Sequence, residues 1–394
     1  MLRRIAFTAG LIGLGIVPAH AAGDAAAGMT ALSTYNLIVL GDWQTDSDVE
    51  GRAIATGNAS GNTFTVGGGR SAQGALPSSG PSLVIGGDLN ASVNVNNGPN
   101  GSNGTVATGS SVLVRGNVVG NLNVNIDPRS VAIGGNFNGN AQNLTSGLIG
   151  GNILGGNVSG SSLQVGGAIL GGSVNGAQTG LGSAVRDTVV SQVDALTAGL
   201  SDNLHALSDT LADFTLASNP SYLSATGGGQ TLVLNAVAGS DGFALFNLSA
   251  SDFAGYTSIA YNFDSDTVPV IVNFTGDLDF RLNFLAPSGT DPLTSVNQSV
   301  LWNFTDAARV HFETEFYGSV LALNAEVSNR APVNGSLAAG SFKQSSEVHL
   351  GTFRPFDLPP PAVPEPASWA MMILGFAFAG GALRRRQAAR IRFA

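Results

Sequence analysis

The chain has 394 residues, of which only 11% are charged, and a net charge of −9. Hydrophobic residues make up 43%, ample for the core of one large or two modest domains, and the absence of cysteine excludes a disulfide framework. The acidic balance and the single lysine, Lys343, exclude nucleic acid as a partner, because phosphate neutralisation needs clustered Lys and Arg.

Arg3 and Arg4 form a charged leader, Ile5 to Val17 an apolar core, and Ala19-His20-Ala21 a small-x-small site. This order predicts a signal peptide over 1–21, cleaved after Ala21 and defined by Ala19 and Ala21. Pro18 ends the apolar core too early for a permanent membrane helix. The mature domain is expected over 22–358.

Asn36 to Asp42 reads as a first strand and corner, and Ile54 to Asn58 as another. Apolar triplets followed by Gly-Gly-Asn or its variants then recur. Leu83-Val84-Ile85-Gly86-Gly87-Asp88 returns at Val112, Val131, Leu148 and Leu163, with second glycines at 87, 116, 135, 151 and 167. Three short apolar segments per 16 residues suit a three-sided coil stacked on its neighbours. Glycine is expected to take corner conformations that cost other residues energy, and asparagine to tolerate left-handed backbone and form ladders. Val131, Ile133, Leu148, Ile149, Leu163 and Val165 are predicted to share the core. From Val189 apolar residues follow at 193, 196, 200, 204, 207, 211 and 214, which predicts one long helix over about 185–216. It should lie along the coil and cover open apolar wall. Beyond Gly227-Gly228-Gly229 the pattern is β again. The fold class is therefore mainly β: a discontinuous parallel β-solenoid with one long α-helix alongside.

Residues 359–366 form a proline-rich spacer ending in Val363-Pro364-Glu365-Pro366. An uncharged apolar stretch from Trp369 to Leu383 and the cluster Arg384-Arg385-Arg386 fill 367–394. The stretch is shorter than the roughly 20 residues that span a bilayer comfortably, so it suits a transient membrane helix with the arginines held in the cytoplasm. Pro-Glu-Pro, apolar segment and basic cluster together resemble the PEP-CTERM sorting signal. The resemblance implies an exosortase-type enzyme as partner, transient inner-membrane anchoring, and delivery to the cell surface or extracellular matrix. Seven arginines lie in the two terminal segments expected to be removed. The remainder carries ten basic against 26 acidic residues, a net of −16.

Asn36 to Asp42, Ser47-Asp48-Val49-Glu50-Gly51-Arg52, the Gly-Gly-Asn ladder, Leu301-Trp302-Asn303-Phe304 and Gly318 to Ala322 resemble the choice-of-anchor A family of adhesive surface domains. The same order, strands then a long helix then strands that complete the coil, is similar to bacterial ice-binding proteins. The flat threonine row those proteins imply is not evident; Thr63 and Thr65 are one such pair.

Chemistry is sparse. His205, His311 and His349 lack partners at metal-ligand spacing, and no nucleophile elbow or phosphate loop occurs. No catalytic residue is assigned and no cofactor is expected apart from Ca²⁺. Asp46, Asp48 and Glu50 alternate, so in a strand they would share one side, and such oxygen clusters can hold Ca²⁺. Their spacing is not that of an EF-hand. The competing reading is a solvated acidic edge with Glu50 paired to Arg52. Carboxylates spaced by two at Asp277 and Asp279, and at Glu313 and Glu315, are the pattern a polysaccharide hydrolase would need. The sequence as a whole points to an exported, surface-sorted, non-enzymatic adhesin or matrix component whose ligand is exopolysaccharide or another cell-surface molecule. Ice binding is the alternative and hydrolysis the lesser one.

Overall fold

Every apolar triplet in the glycine-rich region becomes a three- or four-residue strand segment, and each pairs in parallel with the equivalent segment one coil away. The structure is a computed structural model. It describes residues 23–67, 80–96, 112–125, 128–214, 216, 218–263, 268–285, 292–358 and 373–380. The chain forms two compact units, Met1–Phe356 and Asp357–Ala394.

One wall of the first unit shows the architecture. In spatial order it runs Ala244–Ser249, Val270–Thr275, Val300–Phe304, then the first halves of Ser319–Asn329 and Leu337–Gln344. The next strand in space is Leu37–Val39, from the start of the chain, followed by Ala53–Ala55, Leu83–Ile85, Val112–Val114, Ser130–Ile133 and Ser146–Ile149. The second half of Asn157–Val165 and the end of Ser173–Gln178 complete it. The coil thus begins in its own middle, runs to one end, and resumes from the other. Leu37 pairs with Leu337 on one side and Ala53 on the other. Two further walls follow the same order, so the solenoid is three-sided, parallel and discontinuous.

This first wall is buried on both faces, the usual state of a parallel sheet. Residues such as Val39, Ile85, Val114, Ile133 and Val165 point into the solenoid core. Their neighbours Ile38, Ile54, Val84, Leu113 and Ala132 are also buried, the last two on strands against which the helix Ser183–Thr197 packs. Core side chains in the coils up to residue 178 are mostly aliphatic. Those of the C-terminal coils include a packed aromatic set of Phe253, Phe274, Phe280, Trp302, Phe304, Phe312 and Phe316.

The expected long helix is present over residues 183–212, in two segments, α2 (Ser183–Thr197) and α3 (Leu200–Ala212). Gly199 between them sits at φ +69, a left-handed conformation that stops the first helix and restarts the second. The apolar stripe is real: Val189, Val193, Leu204, Leu207 and Leu211 are all fully buried. A shorter helix, α1 (Ala25–Thr34), packs against α3. Its run of Ala, Gly, Ser and Thr carries no stripe that would announce it. Asp24 caps it through the Ala26 N–H, and the Asp24 N–H donates to Asn203 Oδ1 at 2.8 Å. A Cβ on Gly28 would lie 2.3 Å from the Asn203 carbonyl oxygen, so only glycine lets the two helices approach this closely.

Leu148 does not join the core. Strand side chains alternate, and Val131 is in register with Gly147, so Gly147 and Ile149 point inward and Leu148 outward. The other five predicted core residues are buried in the solenoid.

At one set of corners glycine behaves as expected, with Gly120, Gly156 and Gly172 at positive φ; the Gly-Gly-Asn corners work differently. Among the described residues only Asn143 is a non-glycine at positive φ, so the corner asparagines are not left-handed. Nor do the second glycines have positive φ; what they supply is room. A Cβ at Gly87, Gly116, Gly135, Gly151 or Gly167 would stand 2.1–2.6 Å from a side-chain oxygen of the preceding corner. Those oxygens are occupied. Asp42 Oδ1 accepts from the Asn58 N–H, Asn58 from Asp88, Asp88 from Asn117, Asn117 from Asn136, Asn136 from Asn152, and Asn152 from Ala168, all at 2.6–2.9 Å. The repeat is therefore a ladder of side-chain acceptors and backbone donors that satisfies corner amides having no strand partner.

Among the described residues no helix is long and apolar enough to cross a membrane. Ala19 and Ala21, Val363 to Pro366 and Arg384 to Arg386 lie outside the described residues, as do both ends of the expected membrane segment; its middle, 373–380, is helical.

Candidate functional site: the polar second wall

The second wall presents a row of outward side chains, one from each coil, set by register. Asp279 is level with His311, His311 with Ser328, Ser328 with Lys343, Lys343 with Gln44, Gln44 with Ser60, and Ser60 with Asn90. Neighbours in such a row stand about 4.8 Å apart. Their alternates point inward as Phe280, Phe312, Phe342 and Trp43, which makes the wall rigid behind its polar surface. A shallow groove of about 600 Å³ crosses the row where the last coil docks on the first. Gln44, Ser60, Asn90, Glu326, Ser341 and Lys343 line it, and Lys343 Nζ pairs with Glu326 at 2.7 Å. The groove offers amides, hydroxyls and one ion pair within a single hollow, the donor and acceptor mixture that polyhydroxylated ligands meet in binding sites.

The paired carboxylates singled out by sequence are held in structural bonds. Asp277 Oδ1 accepts the Ala308 and Arg309 amides, which lowers its pKa, the Arg309 amide contributing most. Asp279 pairs with Arg281 at 2.8 Å. Glu313 pairs with His311 at 3.0 Å and Arg330 at 3.4 Å, and the His311 hydrogen bond is the main cause of its depressed pKa. Glu315 Oε1 accepts from Asn334 Nδ2 at 3.0 Å. One arrangement escapes sequence inspection: Ser328 Oγ lies 2.8 Å from His311 Nδ1, with Glu313 on Nε2. The ring nitrogens are reversed relative to a serine-hydrolase triad. All three groups lie on the wall, brought together by register between strands whose sequence positions give no hint of it.

The acidic trio is likewise distributed along ladders. Asp46 Oδ1 accepts from the Asn62 N–H, Asp48 Oδ1 from the Thr65 N–H, and Glu50 Oε2 from the Leu350 N–H, at 2.7–2.8 Å. Glu50 instead groups with Glu347 and His349, whose candidate ligand atoms all lie within 4.8 Å of one another. His349 Nε2 is 2.8 Å from Glu347, and its Nδ1 faces Asn334 Oδ1 at 2.8 Å. Glu347 and His349 lie some 300 residues from Glu50, too far for any spacing rule to find.

The third wall carries the Thr63 and Thr65 pair, in register with Ser92 and Asn94. Asn123 follows Asn94, and the two amides bond to each other at 2.9 Å. Threonine is thus replaced by serine and asparagine within one coil.

The family model described as "Putative Ice-binding-like adhesive domain" matches residues 28–146 and 102–350. The chain belongs to this ice-binding-like adhesive domain family. The family is named for adhesive and ice-binding-like proteins, a non-enzymatic kind. A second model, the PEP-CTERM protein-sorting motif, matches residues 362–386. That motif is recognised by an exosortase-type sorting enzyme and implies export with sorting to the surface. No curated protein matches the chain. An ice-binding protein from an Antarctic Flavobacteriaceae bacterium, known from a crystal structure, is similar at 14% identity over 84% of each chain, with a TM-score of 0.27. At that score the likeness carries no argument. The ice-binding-like adhesive domain therefore occupies the solenoid and its helices, and the sorting motif the C-terminal unit.

Proposed function

We propose that this protein is a choice-of-anchor A type adhesin or matrix component that holds exopolysaccharide along its second wall. The observation that carries the reading is the registered polar row with its groove at the seam. A rigid row repeating at coil spacing meets a repeating polymer at many points. Each contact is weak, and avidity over the row supplies the affinity. Export through the signal peptide at Ala19 and Ala21, and exosortase processing at Val363 to Pro366 with Arg384 to Arg386 left behind the membrane, would put the wall outside the cell.

The test is adhesion of purified residues 22–358 to the matrix of the producing cells, with and without EDTA. Ser60→Tyr fills the groove from an exposed position and should lower retention at least tenfold. Binding is expected to survive EDTA, because Asp46, Asp48 and Glu50 already accept backbone N–H groups. Loss in EDTA, restored by Ca²⁺ and abolished by Asp48→Ala, would assign calcium to the acidic trio instead. No retention together with ice shaping would establish the ice-binding reading. Release of new reducing ends would establish a hydrolase.

A further inference from the structure

Ser173–Gln178 is the last strand of the solenoid, and among the described residues it pairs on one side only, with Asn157–Val165. Its other edge is a row of backbone donors and acceptors with no strand partner. Soluble solenoids ordinarily close such an end with a polar capping repeat, and exposed edges ordinarily carry lysine, proline or a bulge. Here the edge strand carries no lysine and no proline, and its one irregularity is the register shift at Gly176, φ +80, between the Asn175 and Ala177 pairings. No Asp, Glu, Lys, Arg or His occurs between Arg129 and Arg186, a stretch that includes the last three coils. Core positions are left half covered. Val158 and Leu163 are 1% exposed, whereas their register mates Val174 and Ala177 in the last coil are only partly buried against the core. Around this rim Leu170 is 66% exposed, with Ile169 at 41% and Leu181 at 40%.

The opposite end is built differently. Tyr222–Thr226 runs antiparallel along the outermost strand of one wall there. Asn219 Nδ2 donates to the Leu245 carbonyl on another, and Phe243 is packed between Phe214 and Phe356. Among the described residues Ala244–Ser249 and Leu278–Phe280 at that end also pair on one side only, but the second of these edges is charged, with Asp277, Asp279 and Arg281 along it, so head-to-tail stacking would set charges against the uncharged Ser173–Gln178 end.

We propose that two copies of this chain join through the Ser173–Gln178 ends, related by a two-fold axis, with the two edge strands antiparallel. A bare β edge is satisfied by another strand. The partner must also be uncharged where it touches, because each mature copy carries a net of −16 and would otherwise repel its twin. The same end of a second copy meets both demands, and a two-fold axis closes the contact and stops it at a dimer. Joined this way, the two second walls double the length over which a polymer can be held.

The chain contains no cysteine, so single cysteines report the contact cleanly. Full-length protein with Asn175→Cys should form a disulfide-linked dimer on mild oxidation, and Tyr222→Cys at the far end should not. By sedimentation velocity the unmodified chain should have twice the monomer mass. Gln178→Lys, at an exposed edge position, and Ala177→Lys should each shift it to monomer with an unchanged circular-dichroism spectrum. Gln178→Lys decides the matter if Ala177→Lys does not fold. A monomeric unmodified chain at 100 μM, a lysine variant that stays dimeric, or cross-linking through Tyr222→Cys would each overturn the proposal.

Discussion

Replacing Gly151 by alanine inverts the usual effect of such a change. At ordinary backbone geometry, glycine to alanine stabilises by about 0.4–1 kcal/mol through the unfolded chain. Gly151 has no positive φ, so backbone preference does not oppose the change. Space does. The new Cβ would stand 2.6 Å from Asn136 Oδ1, 2.7 Å from the Gly135 carbonyl carbon and 2.8 Å from the Asn136 nitrogen. Two of these three atoms are backbone and cannot swing aside. Relief requires the coils to part, which overpacking data put at roughly 1–3 kcal/mol. Parting also stretches the 2.8 Å bond from the Asn152 N–H to Asn136 Oδ1, worth about 0.5–1.5 kcal/mol. The net expectation is a destabilisation of roughly 1–3 kcal/mol, read from urea unfolding of residues 22–358 and from faster hydrogen exchange at the Asn152 amide. Adding Asn136→Ala removes only the side-chain contact, so the double variant should remain less stable than Asn136→Ala alone. A Gly151→Ala protein that unfolds at higher urea than wild type would refute the close-stacking account of the corners.

Leu204 is fully buried on α3, and Leu204→Asp should cost several kcal/mol by setting an unpaired charge against the solenoid, visible as a lowered thermal midpoint. Asn303 is buried and ties α3 to the first wall, accepting from Ser208 Oγ at 2.6 Å and donating to the Ser208 carbonyl and Asn273 Oδ1, both at 2.9 Å. Asn303→Leu should destabilise by about 1–3 kcal/mol for each buried group left unpaired, measured in the same melts. Glu313 has its pKa lowered from 4.5 on folding, so its contribution is present above pH 4.5 and is lost as pH falls through the lower folded value. Glu313→Gln should therefore lower stability near neutrality, where the contribution is present, and flatten the profile below pH 4.5. Intact mass of surface-extracted protein should show a start near Ala22 and an end near Pro366; a mass retaining Arg384 to Ala394 would leave a plain tail anchor.

Local chemistry made much of this molecule legible in one dimension. Apolar triplets, close-approach glycines and Asx acceptors recur because every coil meets the same neighbour, so a repeat in sequence is a repeat in space. The stripe from Val189 to Leu211 is readable for the same reason: 3.6-residue periodicity is intrinsic to one helix. The outward turn of Leu148 was not readable, since pairing with Ser130–Ile133 decides which alternate faces in. Nor was α1, whose helicity depends on α3 receiving it at Gly28. The candidate site is wholly tertiary. Lys343 meets Gln44, and Glu50 meets His349, only because the final coil docks beneath the first. Side-chain identity is a property of the chain, but which residues share a row depends on register across a seam that joins Gln44 to Lys343, about three quarters of the chain apart.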